Sequence, residues 1–192
     1  MTSLPWRDTP ALYGRVSRAL HWGMALLFAW QFTGMGVRAV LGRHPVSAFF
    51  VGTHAPLGTL LLALVALRAA WALAQWRRRP GHAPGWAGRA ALAGHLALYG
   101  LMLVVPTLAL LRAYGSGRAF APFGLPLFPG FPGGPVGWMV APANALHGWL
   151  AWLLLALVAG HAAMALLHRL RGQGDVLRRM AGRMGGQDGA RA

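Results

Sequence analysis

Histidines are the residues of this chain whose type and spacing best suit chemistry. The 192 residues include eight histidines, no cysteine and three acidic residues. A bound metal must therefore rely mainly on imidazole ligands. His147 and His161 lie 14 residues apart. In an α-helix this spacing is just under four turns and about 21 Å, so both rings face the same way at two depths. That arrangement suits two cofactors stacked along one helix.

Each of these two histidines has a candidate partner at the same depth on another helix. His54 is level with His147, and His21 is level with His161. Two such pairs predict two haem b groups, because the absence of cysteine excludes c-type haem and cysteine-bound iron–sulfur clusters. Iron with two axial imidazoles has no open position, so this ligation favours electron transfer over oxygen binding. Nearby small residues would let a flat macrocycle approach the helix backbones: Gly23, Gly58, Gly148 and Gly160.

Three further residues lie near the depth of His21 and His161 or, for His168, one level beyond it towards the chain termini. Arg68 comes 14 residues after His54, inside an apolar stretch. A charge within the membrane costs roughly 2.5–3.5 kcal/mol on insertion scales, so it needs a partner. With so few acids in the chain, a haem propionate is the predicted partner, in preference to snorkelling. His95 and His168 are predicted to bind a propionate or a quinone headgroup, with interfacial anchoring as the alternative.

Four long apolar stretches must position these residues. They cover about 19–37, 50–74, 91–111 and 145–167, and each is near or above the roughly 20 residues that a membrane-spanning helix needs. Charged residues make up 11% of the chain, well below the roughly 25% of soluble domains. We therefore expect an all-α integral membrane four-helix bundle over 19–170 with haems between the helices. Residues 1–18 precede it, and a basic tail, 171–192, is expected to be loosely ordered.

Arginine placement predicts the orientation in the membrane. All 18 Lys and Arg residues are arginine; 13 of them flank the helices on the side of both termini and four lie on the other side. The positive-inside rule then predicts a bacterial inner-membrane protein with both termini in the cytoplasm. Because these charges flank apolar segments, the net charge of +15 indicates contact with lipid and not with nucleic acid.

The third connection, about 112–144, is rich in proline, glycine and aromatic residues. Its six prolines argue against a regular helix there. Its aromatic side chains favour a folded cap on the membrane surface over a floppy exterior loop.

Four strings of residues surround the predicted ligands in a distinctive order. They are RVSRALHW at 15–22, Thr53-His54 with Arg68, HLALY at 95–99 with Pro106, and HGWLA at 147–151 followed by GHAA at 160–163. These strings, and the ending at 174–180, resemble those of the bacterial cytochrome b561 family. The resemblance covers about residues 13–180 and implies a four-helix bundle with two haem b groups held by the four histidines. It also implies electron exchange with membrane quinone.

The resemblance leaves the exterior electron donor open. One branch of the family oxidises superoxide at the exterior face and reduces ubiquinone. Resemblance to that branch gives the first hypothesis, that this chain is an oxidoreductase. Other members are electron-transfer subunits that dock a hydrogenase or another periplasmic redox protein. A metal transporter with a histidine path is a third hypothesis. It expects polar residues through the membrane centre, where the chain has little beyond Gln31 and Thr107.

Overall fold

Four long helices follow the four apolar stretches, and each extends beyond the stretch that predicted it. The computed structural model describes residues 4–81, 84–172 and 175–181. Within these residues the regular structure is helical, apart from an isolated bridge between Phe120 and Phe128. All four long helices are long and apolar enough to cross a membrane, so the predicted all-α membrane bundle is confirmed. The helices are α1 Arg15–Leu41, α2 Pro45–Ala74, α3 Trp86–Gly115, α4 Gly137–Leu170 and a short α5 Asp175–Ala181.

The alternating direction of the four helices creates two sides. The terminal side carries the N-terminal segment, the α2–α3 connection and α5, and the opposite side carries the other two connections. On the opposite side a tight turn joins α1 to α2. His44 caps α2, since its Nδ1 accepts from the Val46 N–H at 3.2 Å while Ser47 Oγ accepts from the His44 N–H at 3.0 Å. This reciprocal cap satisfies donors that a helix start leaves free.

One proline of the third connection lies inside a helix. Because α4 begins at Gly137, Pro142 falls in its second turn, and the expectation that prolines forbid a helix throughout 112–144 is wrong there. Pro56 and Pro106 likewise lie inside α2 and α3. Membrane helices tolerate proline because neighbouring groups and local adjustments satisfy the freed carbonyls.

The rest of the third connection is folded. The Phe120 and Phe128 backbones pair, and the Val136 N–H donates to Gly115 O at 2.8 Å. The Tyr114 ring packs against Phe128 and Phe131, with ring centroids 5.3 and 5.6 Å away. The segment is therefore an ordered cap closing the α3–α4 end. Its position on the membrane surface stays a prediction.

The helices pack in sequence order. Contact is extensive between α1 and α2 and between α3 and α4, and shorter between α2 and α3, whereas α1 and α4 scarcely touch within the described residues. The buried core is small and centres on Met24, Leu61 and Val65. In the most apolar window of α4 only 6% of residues are buried inside the protein, so most of that helix faces lipid or the space between helices.

The terminal side is more ordered than the sequence indicated. The buried Asp8 accepts from the Gly14 N–H at 2.8 Å and lies 3.6 Å from Arg79 Nε, which ties the N-terminal segment to the end of α2. The expectation of a loosely ordered tail is wrong for residues 175–181, which form α5. Arg179 O accepts from Tyr13 N–H at 3.2 Å. The remainder of the tail, 182–192, lies outside the described residues.

Candidate functional site

The structure brings two pairs of histidine rings together between α4 and its neighbours. On the opposite side, His54 of α2 and His147 of α4 have ring centroids 6.1 Å apart and ring planes at 78°. On the terminal side, His21 of α1 and His161 of α4 are 6.3 Å apart with planes at 70°. We call these the opposite-side pair and the terminal-side pair. These are the pairings that depth along the helices predicts, and the role of the four residues as haem ligands stays a prediction.

His147 is held by a backbone group of α3. Its Nδ1 lies 3.1 Å from Val105 O, and a carbonyl can only accept a hydrogen bond, so Nδ1 carries the proton. This contact leaves Nε2 as the unprotonated nitrogen that can ligate a metal. Metal-binding histidines usually have such an outer partner, which sets the tautomer and the ring orientation. Val105 is thus a residue of the site that the sequence does not reveal, because the contact uses its carbonyl.

The surroundings of His54 are polar on one side. The buried Gln31 donates through Nε2 to His54 O at 2.9 Å, and Trp30 Nε1 donates to Thr53 Oγ1 at 2.9 Å. These contacts join α1 to α2 beside the ligand pair. His54 Nδ1 is buried and makes no hydrogen bond to any described residue. A buried amide in an apolar helix was the sequence signal for Gln31, although only the structure shows what it binds.

The terminal-side pair has a third imidazole beside it. The His95 ring of α3 lies 5.4 Å from the His161 ring, edge to face. His168 lies one further level towards the terminal side, in the last turns of α4, and is half-buried. Two of the predicted accessory residues are therefore at the expected end of the bundle, and His95 is in contact with a predicted ligand.

Both pairs have the spacing that one metal ion held between two imidazoles requires. A metal–imidazole bond is about 2.0–2.1 Å and the nitrogen lies about 1.1 Å from the ring centroid, so opposed rings are roughly 6.3 Å apart. The observed 6.1 and 6.3 Å agree with this value. Among the described residues no group of three or more His or acidic side chains could hold a metal ion. Each candidate site thus consists of two histidines, and their role as ligands stays a prediction.

Open backbone beside the ligands leaves room for a flat group. A Cβ built at Gly23, Gly148 or Gly160 would meet no atom within 4 Å, whereas one at Gly58 would meet Gln31 Nε2 at 3.4 Å. Three of the four predicted glycines are therefore next to unfilled space. The residues fit a haem b group at each pair: two suitably spaced imidazoles, a buried His54 nitrogen and an uncovered backbone.

Arg68 lies at the terminal-side pair and has neutral partners within the protein. Its Nε donates to Tyr99 Oη at 2.9 Å and its Nη1 lies 3.5 Å from Ser17 O. Ser17 lies one turn before His21 on α1, so the guanidinium is at the level of the terminal-side pair. The ion pair of the described residues is instead Asp8–Arg79. The predicted depth of Arg68 agrees with this placement, and its contact with a haem propionate stays a prediction.

A buried arginine, Arg18, was missed by the sequence reasoning. Arg18 lies one turn before His21 and is 8% exposed. Its Nη2 donates to Arg179 O at 3.1 Å, while its Nε is buried without a partner in the described part of the chain. Its position one turn before His21 was the sequence signal that could have identified Arg18. Its hydrogen-bond partner could not be foreseen, because that partner is a carbonyl of α5, a helix that the sequence did not predict.

Buried apolar residues occupy the depth between the two pairs. Leu154 is seven residues from both His147 and His161, so it shares their face midway between them. It is 2% exposed, and Leu61 and Val65 of α2 are 3% and 0% exposed. Leu61 is likewise seven residues after His54, so it lies beyond the opposite-side pair by the same helix rise. The geometry thus provides two separate histidine pairs at different depths of the bundle.

The comparisons with known proteins point in one direction. The family model for the prokaryotic cytochrome b561 family matches residues 12–183. The chain is also 30% identical over 190 residues to cytochrome b561 homolog 2 of Escherichia coli strain K12, a match that covers 94% of this chain and 96% of that protein. Both matches include all four long helices and both histidine pairs.

Proposed function

Since this chain belongs to the prokaryotic cytochrome b561 family of transmembrane electron-transfer cytochromes, we propose that it holds two haem b groups and passes electrons between an exterior donor and membrane quinone. The observation that carries the proposal is the pair of imidazole separations, 6.1 and 6.3 Å, at two depths of one bundle. Bound haem b supplies a one-electron iron couple at each level. An iron held by two of these imidazoles would have no open coordination position, which suits electron transfer.

The protein's own residues hold and insulate the two levels. His54 and His147 are proposed ligands on the opposite side, with Val105 O keeping His147 in the tautomer that offers Nε2. His21 and His161 are proposed ligands on the terminal side. The buried Leu154 lies midway between the two levels on α4 and would separate the two bound groups with apolar side chain.

Arg68, His95 and His168 are proposed to act on the terminal side. Arg68 is offered as the cation for a haem propionate, since it lies at this pair and its contacts in the protein are the neutral Tyr99 and Ser17. His95 and His168 are offered as contacts for a propionate or a quinone headgroup. The contact of His95 with His161 supports this for His95.

Superoxide is the proposed exterior donor. Four exposed arginines mark the opposite side, and neither of its connections contains Asp or Glu. A surface with one sign of charge concentrates the opposite ion and speeds its arrival by about tenfold or more at low salt. The arginine asymmetry also supports an inner-membrane orientation with both termini cytoplasmic, which makes this side periplasmic. The four residues are Arg38, Arg43, Arg112 and Arg118.

A docking subunit for a periplasmic redox protein is the second candidate. The observation in its favour is apolar surface on the opposite side: Phe123, Leu125 and Trp138 are exposed by 61%, 71% and 68%. Such side chains suit a protein interface, and an interfacial lipid contact would use them as well.

Stopped-flow mixing of the oxidised protein with superoxide separates the two candidates. Haem reduction that is fast and slows as salt is raised supports superoxide as donor, and charge reversal at Arg43 should slow it further than charge reversal at Arg169, on the terminal side. Absence of haem reduction within the lifetime of superoxide contradicts the superoxide proposal and favours the docking subunit.

A further inference from the structure

The terminal-side pair joins two helices that scarcely touch. His21 is on α1, which packs along α2, and His161 is on α4, which packs along α3. Their rings nevertheless lie 6.3 Å apart. Since direct packing between α1 and α4 is sparse within the described residues, the separation of these two rings depends on indirect packing through α2 and α3 and on any other contact between α1 and the end of α4.

Helix α5 supplies such a contact. Four residues of sequence separate it from the end of α4, and among them Gly172, at φ 75°, donates its N–H to Arg169 O at 3.2 Å. Helix α5 then contacts the beginning of α1. Because only four residues join α5 to α4, any bond between α5 and α1 limits how far α1 and α4 can separate.

Three hydrogen bonds connect α5 to the N-terminal segment and α1. Arg179 O accepts from Tyr13 N–H at 3.2 Å and from Arg18 Nη2 at 3.1 Å, and Met180 O accepts from Trp22 Nε1 at 3.3 Å. We call these five residues the terminal clasp. Both acceptors are carbonyls of the last turn of α5. No later N–H of the helix can donate to these carbonyls, so they need donors from outside it.

The clasp reaches a proposed ligand directly. The Trp22 ring lies edge-on to the His21 ring, with centroids 5.2 Å apart. One hydrogen bond and one ring contact therefore link α5 to His21. The opposite-side pair is held differently, because the carbonyl of Val105 on α3 fixes the His147 ring.

We propose that the terminal clasp is a positioning device that sets the separation of His21 and His161 by tying α5 to the start of α1. Tyr13, Arg18 and Trp22 are positioning residues and not ligands. The inference rests on the proposed function in that these two histidines hold a haem. The inference goes beyond the proposed function because it concerns the distance between α1 and α4. That distance can be measured with or without bound haem.

Two variants break the clasp in different ways. Trp22→Phe removes the indole N–H and keeps a ring beside His21. Arg179→Pro disrupts the last turn of α5 and so displaces both acceptor carbonyls. Arg179→Ala is the matched control, since it removes the same side chain but keeps the helix and its carbonyls. Trp86→Phe, at an exposed tryptophan on the same side, is the control for the aromatic change.

Haem transfer to apomyoglobin gives the first readout, with the two haems distinguished by their low-spin signals. Loss of the terminal-side haem should be about three- to tenfold faster in Trp22→Phe, the effect of one hydrogen bond, and faster still in Arg179→Pro. Loss of the opposite-side haem should change less than about twofold, and both controls should match the unmodified protein. Equal acceleration of both haems, or acceleration by Arg179→Ala, overturns the proposal.

A distance measurement tests the same inference without relying on haem. The chain contains no cysteine, so spin labels can be placed at Ala19→Cys on α1 and Met164→Cys on α4, both exposed. The distance distribution should broaden or lengthen with Arg179→Pro and with Trp22→Phe, and stay unchanged with Arg179→Ala. An unchanged distribution in both clasp variants overturns the proposal. The haem content of the unmodified protein separately decides the proposed function.

Discussion

The charge of Arg68 should set the two haem potentials apart, and its removal offers a quantitative prediction. In Arg68→Leu the guanidinium that lies at the terminal-side pair is lost. A nearby positive charge favours the more negative, reduced state of a haem, so its removal lowers the potential. The terminal-side haem should respond more than the opposite-side haem, because Arg68 lies 14 residues along α2 from His54.

The expected magnitude follows from Coulomb's law. For a separation of about 9 Å between the guanidinium and a terminal-side haem iron, and an effective dielectric constant of about 20, the interaction is roughly 1.8 kcal/mol, or about 80 mV. The helix rise places the opposite-side pair about 21 Å away, where the same law gives roughly 0.8 kcal/mol, or about 35 mV. The terminal-side shift should therefore be about twice the other.

Redox titration of both haems in detergent or nanodiscs measures these shifts. Tyr99→Phe is the matched control, because it removes the hydroxyl that accepts from Arg68 Nε and keeps the charge. It should shift either potential by less than about 20 mV, the effect of one neutral group. Equal shifts of the two haems in Arg68→Leu, or an unchanged terminal-side potential, would refute the assignment of Arg68 to that pair.

Two further predictions concern the ligands and their support. His54→Ala and His147→Ala should remove the same spectral component, and His21→Ala and His161→Ala the other; a component shared by His54→Ala and His161→Ala would contradict the pairing. Gln31→Leu removes the buried amide that donates to His54 O, and it should lower the free energy of unfolding by about 1 kcal/mol. Thr107→Val, where an exposed hydroxyl bonds to Leu103 O of its own helix, should change it by less than about 0.5 kcal/mol. If thermal unfolding showed the same loss of stability in both variants, Gln31 would not stabilise the fold through its bond to His54 O.

Much of the architecture could be predicted from hydropathy and histidine spacing. The four helices follow from long apolar stretches, and the ring pairs follow from the 14-residue spacing of His147 and His161 on a regular helix. Helix α4 begins earlier than predicted because proline argues against a helix in water, whereas Pro142 is accommodated in a membrane helix. Proline content alone was therefore a poor guide to where that helix starts.

The contacts that hold the ligands could not be predicted, because they use backbone carbonyls. Val105 O holds His147, His54 O receives Gln31, and Arg179 O and Met180 O receive the donors of the terminal clasp. A carbonyl is present at every residue, so no side-chain pattern marks these four. Residues 175–181 were expected to be loosely ordered for the same reason, because the contacts that hold α5 use its backbone carbonyls.

Haem content combined with electron paramagnetic resonance of the oxidised protein tests the central claim most directly. Two non-covalent haem b groups per chain are expected, with two low-spin signals, because each iron would have two imidazole ligands with ring planes 70° and 78° apart. One haem per chain, or a high-spin signal from iron with a single axial histidine, would contradict the assignment of two bis-histidine sites.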